Sequence, residues 1–261
     1  MNFFASDGVR LVYRVDGPDD APTIVMVNSL GTNLRMWDHQ VALLSRNLRV
    51  VRYDCRGHGG SDVPAGPYTI KRLGLDLLAL LDTLQIERAY ICGLSLGGMI
   101  TLWVAAQNPD RVTRAVFANA AARIGTTEIW NARIDAVRTG GMAAVRDAVL
   151  ARFLSEGFRR RHPEVVRQIG EMIQATNPTG YIGACAALRD GDLREMVPTI
   201  HVPSLIIAGA LDESTPLSQS QELHAAIMGS ELVVLHEAAH LSNVEQPDEF
   251  SKAVLGFLAQ S

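Results

Sequence analysis

Residues 89–106 read Ala-Tyr-Ile-Cys-Gly-Leu-Ser-Leu-Gly-Gly-Met-Ile-Thr-Leu-Trp-Val-Ala-Ala, and the segment Gly93-Leu94-Ser95-Leu96-Gly97-Gly98 within them decides the fold. Ala89 to Cys92 is a short apolar run of strand character, and Met99 to Ala106 is apolar enough to be a buried helix. A strand that passes directly into a helix bends so sharply that the residue at the corner takes a strained backbone conformation. Side chains two residues to either side would then collide, and glycine at 93 and 97 removes them. The hydroxyl of Ser95 is thereby expected at the carboxyl end of the sheet, facing a helix N-terminus that favours developing negative charge. Ser95 is the candidate nucleophile; the alternative is a serine that merely caps the helix.

Working outward, the same kind of short, uniformly apolar run recurs at Ile24 to Val27, Val50 to Tyr53, Ala115 to Ala118, Leu205 to Ala208 and Leu232 to Leu235. Such strands are buried on both faces. Helical stretches at Thr69 to Leu84, Gly98 to Ala106 and Phe250 to Leu258 lie between them, which predicts an α/β fold with a mostly parallel sheet covered on both sides. The first sixteen residues read differently. Phe3 to Ser6, the Asp7-Gly8 turn and the alternating Val9 to Val15 predict an antiparallel hairpin at a sheet edge. Between 120 and 197 the strand pattern stops, and amphipathic helices follow one another, broken at Gly125, Gly140-Gly141, Pro163, Pro178 and Gly180. The expected organisation is a core made of residues 1–119 and 198–261, with residues 120–197 inserted between two strands as a helical cap.

Composition narrows the function classes. The chain has 261 residues, 48% of them apolar, which suits a buried globular core and excludes disorder and fibrous structure. No apolar run is long enough to span a bilayer, and Met1-Asn2-Phe3-Phe4 is no export leader, so a cytoplasmic protein with no membrane partner is expected. Cys55, Cys92 and Cys185 are odd in number and widely spaced, fitting free thiols better than a disulfide framework or a zinc site. A net charge of −4 leaves no basic footprint for nucleic acid. Only Lys71 and Lys252 are lysines, and residues 120–197 carry eleven arginines against nine acidic residues, so the inserted segment is relatively cationic.

A serine nucleophile needs a base and an acid, and in a strand–elbow–helix architecture these follow in the order Ser, acid, His, each after a later strand. His240, in Ala238-Ala239-His240-Leu241-Ser242-Asn243 beyond the last strand, fits the base. His236 competes but sits at the strand end itself, while His58 belongs to a glycine turn and His39, His162, His201 and His224 are less well placed. Asp212 ends the run Leu205 to Leu211 and fits the acid that orients the imidazole; the alternative is an aspartate capping a helix begun near Thr215-Pro216. Asn119 occupies the equivalent loop one strand earlier and cannot serve as the acid. The tetrahedral oxyanion of acyl transfer needs two backbone donors, expected from the amide of Leu96 and from the loop Asn28-Ser29-Leu30-Gly31, with the Leu30 amide best placed.

These residues make the chain resemble the α/β-hydrolases, and further segments resemble one branch, the 3-oxoadipate enol-lactonases. The resemblance rests on Arg56-Gly57-His58-Gly59-Gly60-Ser61-Asp62-Val63-Pro64 leading into Gly66-Pro67-Tyr68-Thr69, on the elbow, and on Asn119-Ala120-Ala121-Ala122-Arg123-Ile124-Gly125. It extends through Gly180 to Asp190 and through Ala239 to Pro247, and Asn28-Ser29-Leu30-Gly31 stands where many hydrolases have His-Gly. The resemblance implies hydrolysis of 3-oxoadipate enol-lactone to 3-oxoadipate, in aromatic degradation through protocatechuate or catechol. It carries the family's nucleophile, acid and base onto Ser95, Asp212 and His240, and requires no metal or organic cofactor. The partner it implies is a small anionic lactone, whose carboxylate calls for an arginine in a desolvated pocket. Arg133 in the cationic segment is the first candidate, with Trp130 as a nearby wall; the alternative is a solvated helix arginine. Other acyl substrates are the competing enzyme reading, among them those of a carboxylesterase, a carbon–carbon bond hydrolase or a perhydrolase. A ligand-binding receptor on the same fold is the reading from another class. Oligomeric state is not legible in the sequence.

Overall fold

A computed structural model describes residues 1–260. Its eight strands are β1 (Asn2–Phe4), β2 (Arg10–Asp16), β3 (Thr23–Val27), β4 (Arg49–Tyr53), β5 (Ala89–Leu94), β6 (Val112–Ala118), β7 (Ser204–Gly209) and β8 (Glu231–Leu235). They form one sheet in the order β1-β2-β4-β3-β5-β6-β7-β8. β1 and β2 pair antiparallel in the expected hairpin, β2 joins β4 antiparallel, and every later pairing is parallel. The central strands are buried on both faces, as their unbroken apolar sequences require. β8 departs from that reading. It is the last strand of the sheet, and only Leu235 at its end is fully buried, because an edge strand has a packed neighbour on one side alone.

The helices are α1 (Asp38–Leu44), α2 (Ile70–Thr83), α3 (Leu96–Gln107), α4 (Thr127–Gly140), α5 (Ala143–Phe153), α6 (Glu156–Arg161), α7 (Pro163–Ala175), α8 (Pro178–Asp190), α9 (Leu217–Ala226), α10 (Ser242–Glu245) and α11 (Pro247–Leu258). α2 begins where Thr69 accepts a hydrogen bond from the Arg72 amide, an N-cap visible in the sequence. α3 starts at Leu96, earlier than the expected Gly98, because Gly97 and Gly98, weak helix formers by propensity, are demanded there by packing. A Cβ on Gly97 would overlap the Val27 carbonyl, and one on Gly93 would overlap Gly97.

The five helices α4 to α8 all lie in the chain between β6 and β7. Their breaks fall near Gly140-Gly141, Pro163 and Pro178 as expected, but Gly180 lies inside α8 and breaks nothing. Its role is contact. Gly180 meets Gly57 backbone to backbone with no room for a side chain on either, and nearby the Tyr68 amide donates to the Gly183 carbonyl at 3.1 Å. Among the described residues, no helix is long and apolar enough to cross a membrane.

Candidate active site

Ser95 sits between β5 and α3 with φ 59° and ψ −114°, one of three non-glycine residues at positive φ among those described. Its amide donates to the Ala118 carbonyl of β6, and its carbonyl accepts from the Met99 amide, so sheet and helix both hold the strained corner. β7 ends at Gly209, and Asp212 follows in the next turn; β8 ends at Leu235, and His240 follows in the loop before α10. Parallel strands bring these three loops to the same end of the sheet. Ser95 and His240 line one cavity of about 200 Å3, and His240 reaches back to Asp212.

The histidine and aspartate are closely coupled. His240 Nδ1 lies 2.8 Å from Asp212 Oδ2, with both side chains almost wholly buried. Asp212 Oδ2 also accepts from Thr215 Oγ1 at 2.7 Å and Asn119 Nδ2 at 2.9 Å, while Oδ1 accepts from the amides of Ser214 at 2.7 Å and Thr215 at 3.0 Å. Burial alone would push this carboxyl up, but the His240 imidazole and the hydrogen bonds from His240, Thr215 and Asn119 outweigh it and hold the carboxyl below its ordinary value. Asp212 therefore stays ionised at neutral pH and accepts the Nδ1 proton, which leaves Nε2 as the basic nitrogen. The capping alternative is answered by the same contacts: Asp212 holds the turn before α9 through two amides, but α9 has Pro216 at its N-cap and begins without it. The rival His236 is exposed at the end of β8 and does not line the cavity.

Three residues that the sequence reading passed over complete this framework. Asn119, at φ 44°, donates to Asp212 and to the Ala239 carbonyl, and its Oδ1 accepts from Ser242 Oγ at 2.5 Å. Asn119 cannot itself be the acid, but its place one strand before Asp212 makes it a neighbour. Glu245 accepts from the Ala239 amide at 2.8 Å and from Ser155 Oγ at 2.5 Å, tying the His240 loop to the helical segment. His58 is buried beside the loop Asn28 to Gly31: its Nε2 accepts from the Gly31 amide at 3.0 Å, and its Nδ1 donates to the Arg56 carbonyl at 3.1 Å. Those two bonds fix a neutral tautomer, and desolvation pushes its pKa down to about 4.

Leu30 lies in the loop after β3 and lines the cavity with Ser95, and Leu96, directly after Ser95, is the first residue of α3. Among the described residues neither amide donates to another protein group. Trp130 and Arg133, both on α4, line the same cavity as Ser95 and His240. Trp130 is buried, its indole N–H donates to the Ile124 carbonyl at 2.6 Å, and the Arg133 guanidinium stacks 4.9 Å from the centre of its ring. Arg152 of α5, missed in the sequence, reaches the same cavity. Among the described residues, neither arginine has a carboxylate within ion-pairing distance, and the cavity they line also contains one carboxylate, that of Glu213.

An elbow serine sharing a cavity with the histidine of a buried His–Asp pair is an arrangement able to carry acyl transfer. Residues 22–247 match the family described as alpha/beta hydrolase fold. This chain is an α/β-hydrolase. Within that family it is 42% identical over 246 residues to 3-oxoadipate enol-lactonase 2 of Acinetobacter baylyi, covering 94% of this chain and 92% of that protein. 3-Oxoadipate enol-lactonase 1 of the same organism is 39% identical, covering 96% of this chain and 94% of its own length. The crystal structure of the enol-lactonase from Burkholderia xenovorans LB400 superposes with a TM-score of 0.98 at 45% identity, with each chain covered completely. The hydrolase thus shares its whole length with enzymes that open a lactone.

Proposed function

We propose that this α/β-hydrolase converts 3-oxoadipate enol-lactone to 3-oxoadipate through an acyl-enzyme, with Ser95 as nucleophile, His240 as base and Asp212 as its orienting acid. The reading rests above all on one observation: the cavity that holds Ser95 and His240 also holds Arg133, in no ion pair among the described residues and braced on Trp130. A generic ester site has no need of a cation in its cavity; a substrate with a free carboxylate does. Its similarity over the full chain to enol-lactonases supports the same substrate. In this reading residues 1–119 and 198–261 form the catalytic body, and 120–197 form the cap that supplies Arg133 and Trp130.

The steps follow from the arrangement. His240 Nε2 takes the Ser95 hydroxyl proton as Oγ attacks the lactone carbonyl, and Asp212 stabilises the imidazolium. The Leu30 and Leu96 amides stabilise the oxyanion. Collapse breaks the ring C–O bond, and the departing enol oxygen takes the proton from His240; the enol then becomes the ketone. A water deprotonated by His240 attacks the acyl-serine, releasing the new carboxylate and restoring Ser95. The test is the loss of ultraviolet absorbance of freshly prepared enol-lactone, with Ser95→Ala alongside and p-nitrophenyl acetate as the control ester. Rapid lactone turnover, abolished in the variant and well above ester turnover, is expected. Cleavage of the ester without the lactone would turn the assignment toward a general carboxylesterase.

A further inference from the structure

The Ser29 hydroxyl is an exception to the hydrogen bonding of this site. Ser29 lines the cavity with Leu30, Ser95 and His240 and is 1% exposed, yet among the described residues its Oγ has no hydrogen-bond partner. A buried hydroxyl without a partner costs roughly 1–3 kcal/mol, a cost that a ligand completing it inside the cavity would relieve. The backbone of Ser29 is fully engaged: its carbonyl accepts from Thr32 Oγ1 at 2.8 Å and from the Thr32 amide, and its own amide lies against Met36 Sδ. The Ser29 backbone is thus pinned while its hydroxyl stays unpaired.

We infer that the Ser29 hydroxyl is a third donor to the oxyanion, acting beside the amides of Leu30 and Leu96. Covalent geometry supports it. Only four bonds separate Ser29 Oγ from the Leu30 nitrogen, so an oxygen held by that amide lies within reach of the hydroxyl after a rotation about χ1. A hydroxyl is also able to turn its proton toward negative charge only when charge develops, which places its benefit in the transition state. At this position glycine would leave the amides as the sole donors. The inference rests on the acyl-transfer reading of the site but not on the identity of the lactone, since any acyl substrate forms the same oxyanion.

The experiment compares wild type, Ser29→Ala and the near-isosteric Ser29→Cys on enol-lactone and on p-nitrophenyl acetate, with inhibition by phenylboronic acid, whose serine adduct mimics the tetrahedral oxyanion. Ser29→Ala is expected to lower kcat by about ten- to a hundredfold on whichever substrate is turned over, with KM changed less than about twofold, and to weaken boronate inhibition by a similar factor. Ser29→Cys, with a weak S–H donor, is expected to show most of the same loss at an unchanged thermal midpoint, so the result stands even if the alanine variant folds poorly. Unchanged kcat and boronate affinity in a folded variant would overturn the assignment. Failure of wild type on the lactone with a Ser29-dependent ester rate would remove the enol-lactone reading and leave the third donor in place.

Discussion

His58 shows how one side chain outside the reacting set bears on the chemistry. Its Nε2 accepts the Gly31 amide, one residue beyond Leu30, and so helps pin the loop that carries the Leu30 amide. It performs that role only when neutral. The unfolded chain protonates this imidazole near its ordinary value of 6.5, whereas the folded chain does so only near 4, so stability contributed by the neutral ring is complete above 6.5 and is lost as pH falls toward 4. Wild type is expected to lose roughly 2 kcal/mol from this group between pH 7 and pH 5. Urea unfolding at the two pH values measures it, and His58→Asn is expected to flatten that part of the profile while lowering kcat at pH 7. An equally steep acid loss in the variant would assign the effect to other groups.

At the scale of elements, two glycine contacts position the site by letting backbones touch. The pair Gly93 and Gly97 closes α3 onto the end of β5, and Gly57 with Gly180 seats α8 against the turn that contains His58. A methyl group at 180 has nowhere to go, since its neighbours are backbone atoms. Gly180→Ala is expected to destabilise by about 1–3 kcal/mol, despite alanine's better helix propensity. Gly256→Ala on α11, where no atom lies within 4 Å of the new carbon, is expected to gain up to about 1 kcal/mol. Denaturation midpoints moving in the same direction for both variants would show that helix propensity, not the close approach, governs position 180.

For the whole molecule, charge is arranged around the cavity rather than spread evenly: the protein is net negative, but its cavity holds Arg133 and Arg152, neither in an ion pair among the described residues, against the single carboxylate of Glu213. Such an arrangement draws an anionic substrate inward and is weakened by salt. The kcat/KM for the anionic lactone is expected to fall as ionic strength rises from about 0.01 to 0.5 M, while that for neutral p-nitrophenyl acetate changes little. Equal salt dependence for the two would show that the arginines do not act on the substrate's charge. The mostly parallel sheet, the edge hairpin and the meeting of the loops that carry Ser95, Asp212 and His240 were legible because strand-to-loop position and chain order carry them. Asn119, Glu245, His58 and Arg152 were not, since each works across a distance in sequence that no local pattern records: Asn119 is 93 residues from Asp212, and Glu245 is 90 from Ser155. The early start of α3 was missed for the related reason that propensity sees two glycines and not the carbonyl packed against them.

The Gly57–Gly180 seam also bears on how such enzymes can be rebuilt. Exchanging the helices between β6 and β7 for those of another hydrolase is an obvious route to a new substrate range, and it leaves the turn at Gly57 in place to receive them. A donor segment with any side chain at the position of Gly180 would ride up on that turn, tilting its own cavity-lining side chains away from Ser95. Chimeras of this protein are therefore expected to inherit the donor's selectivity only when the glycine travels with the graft.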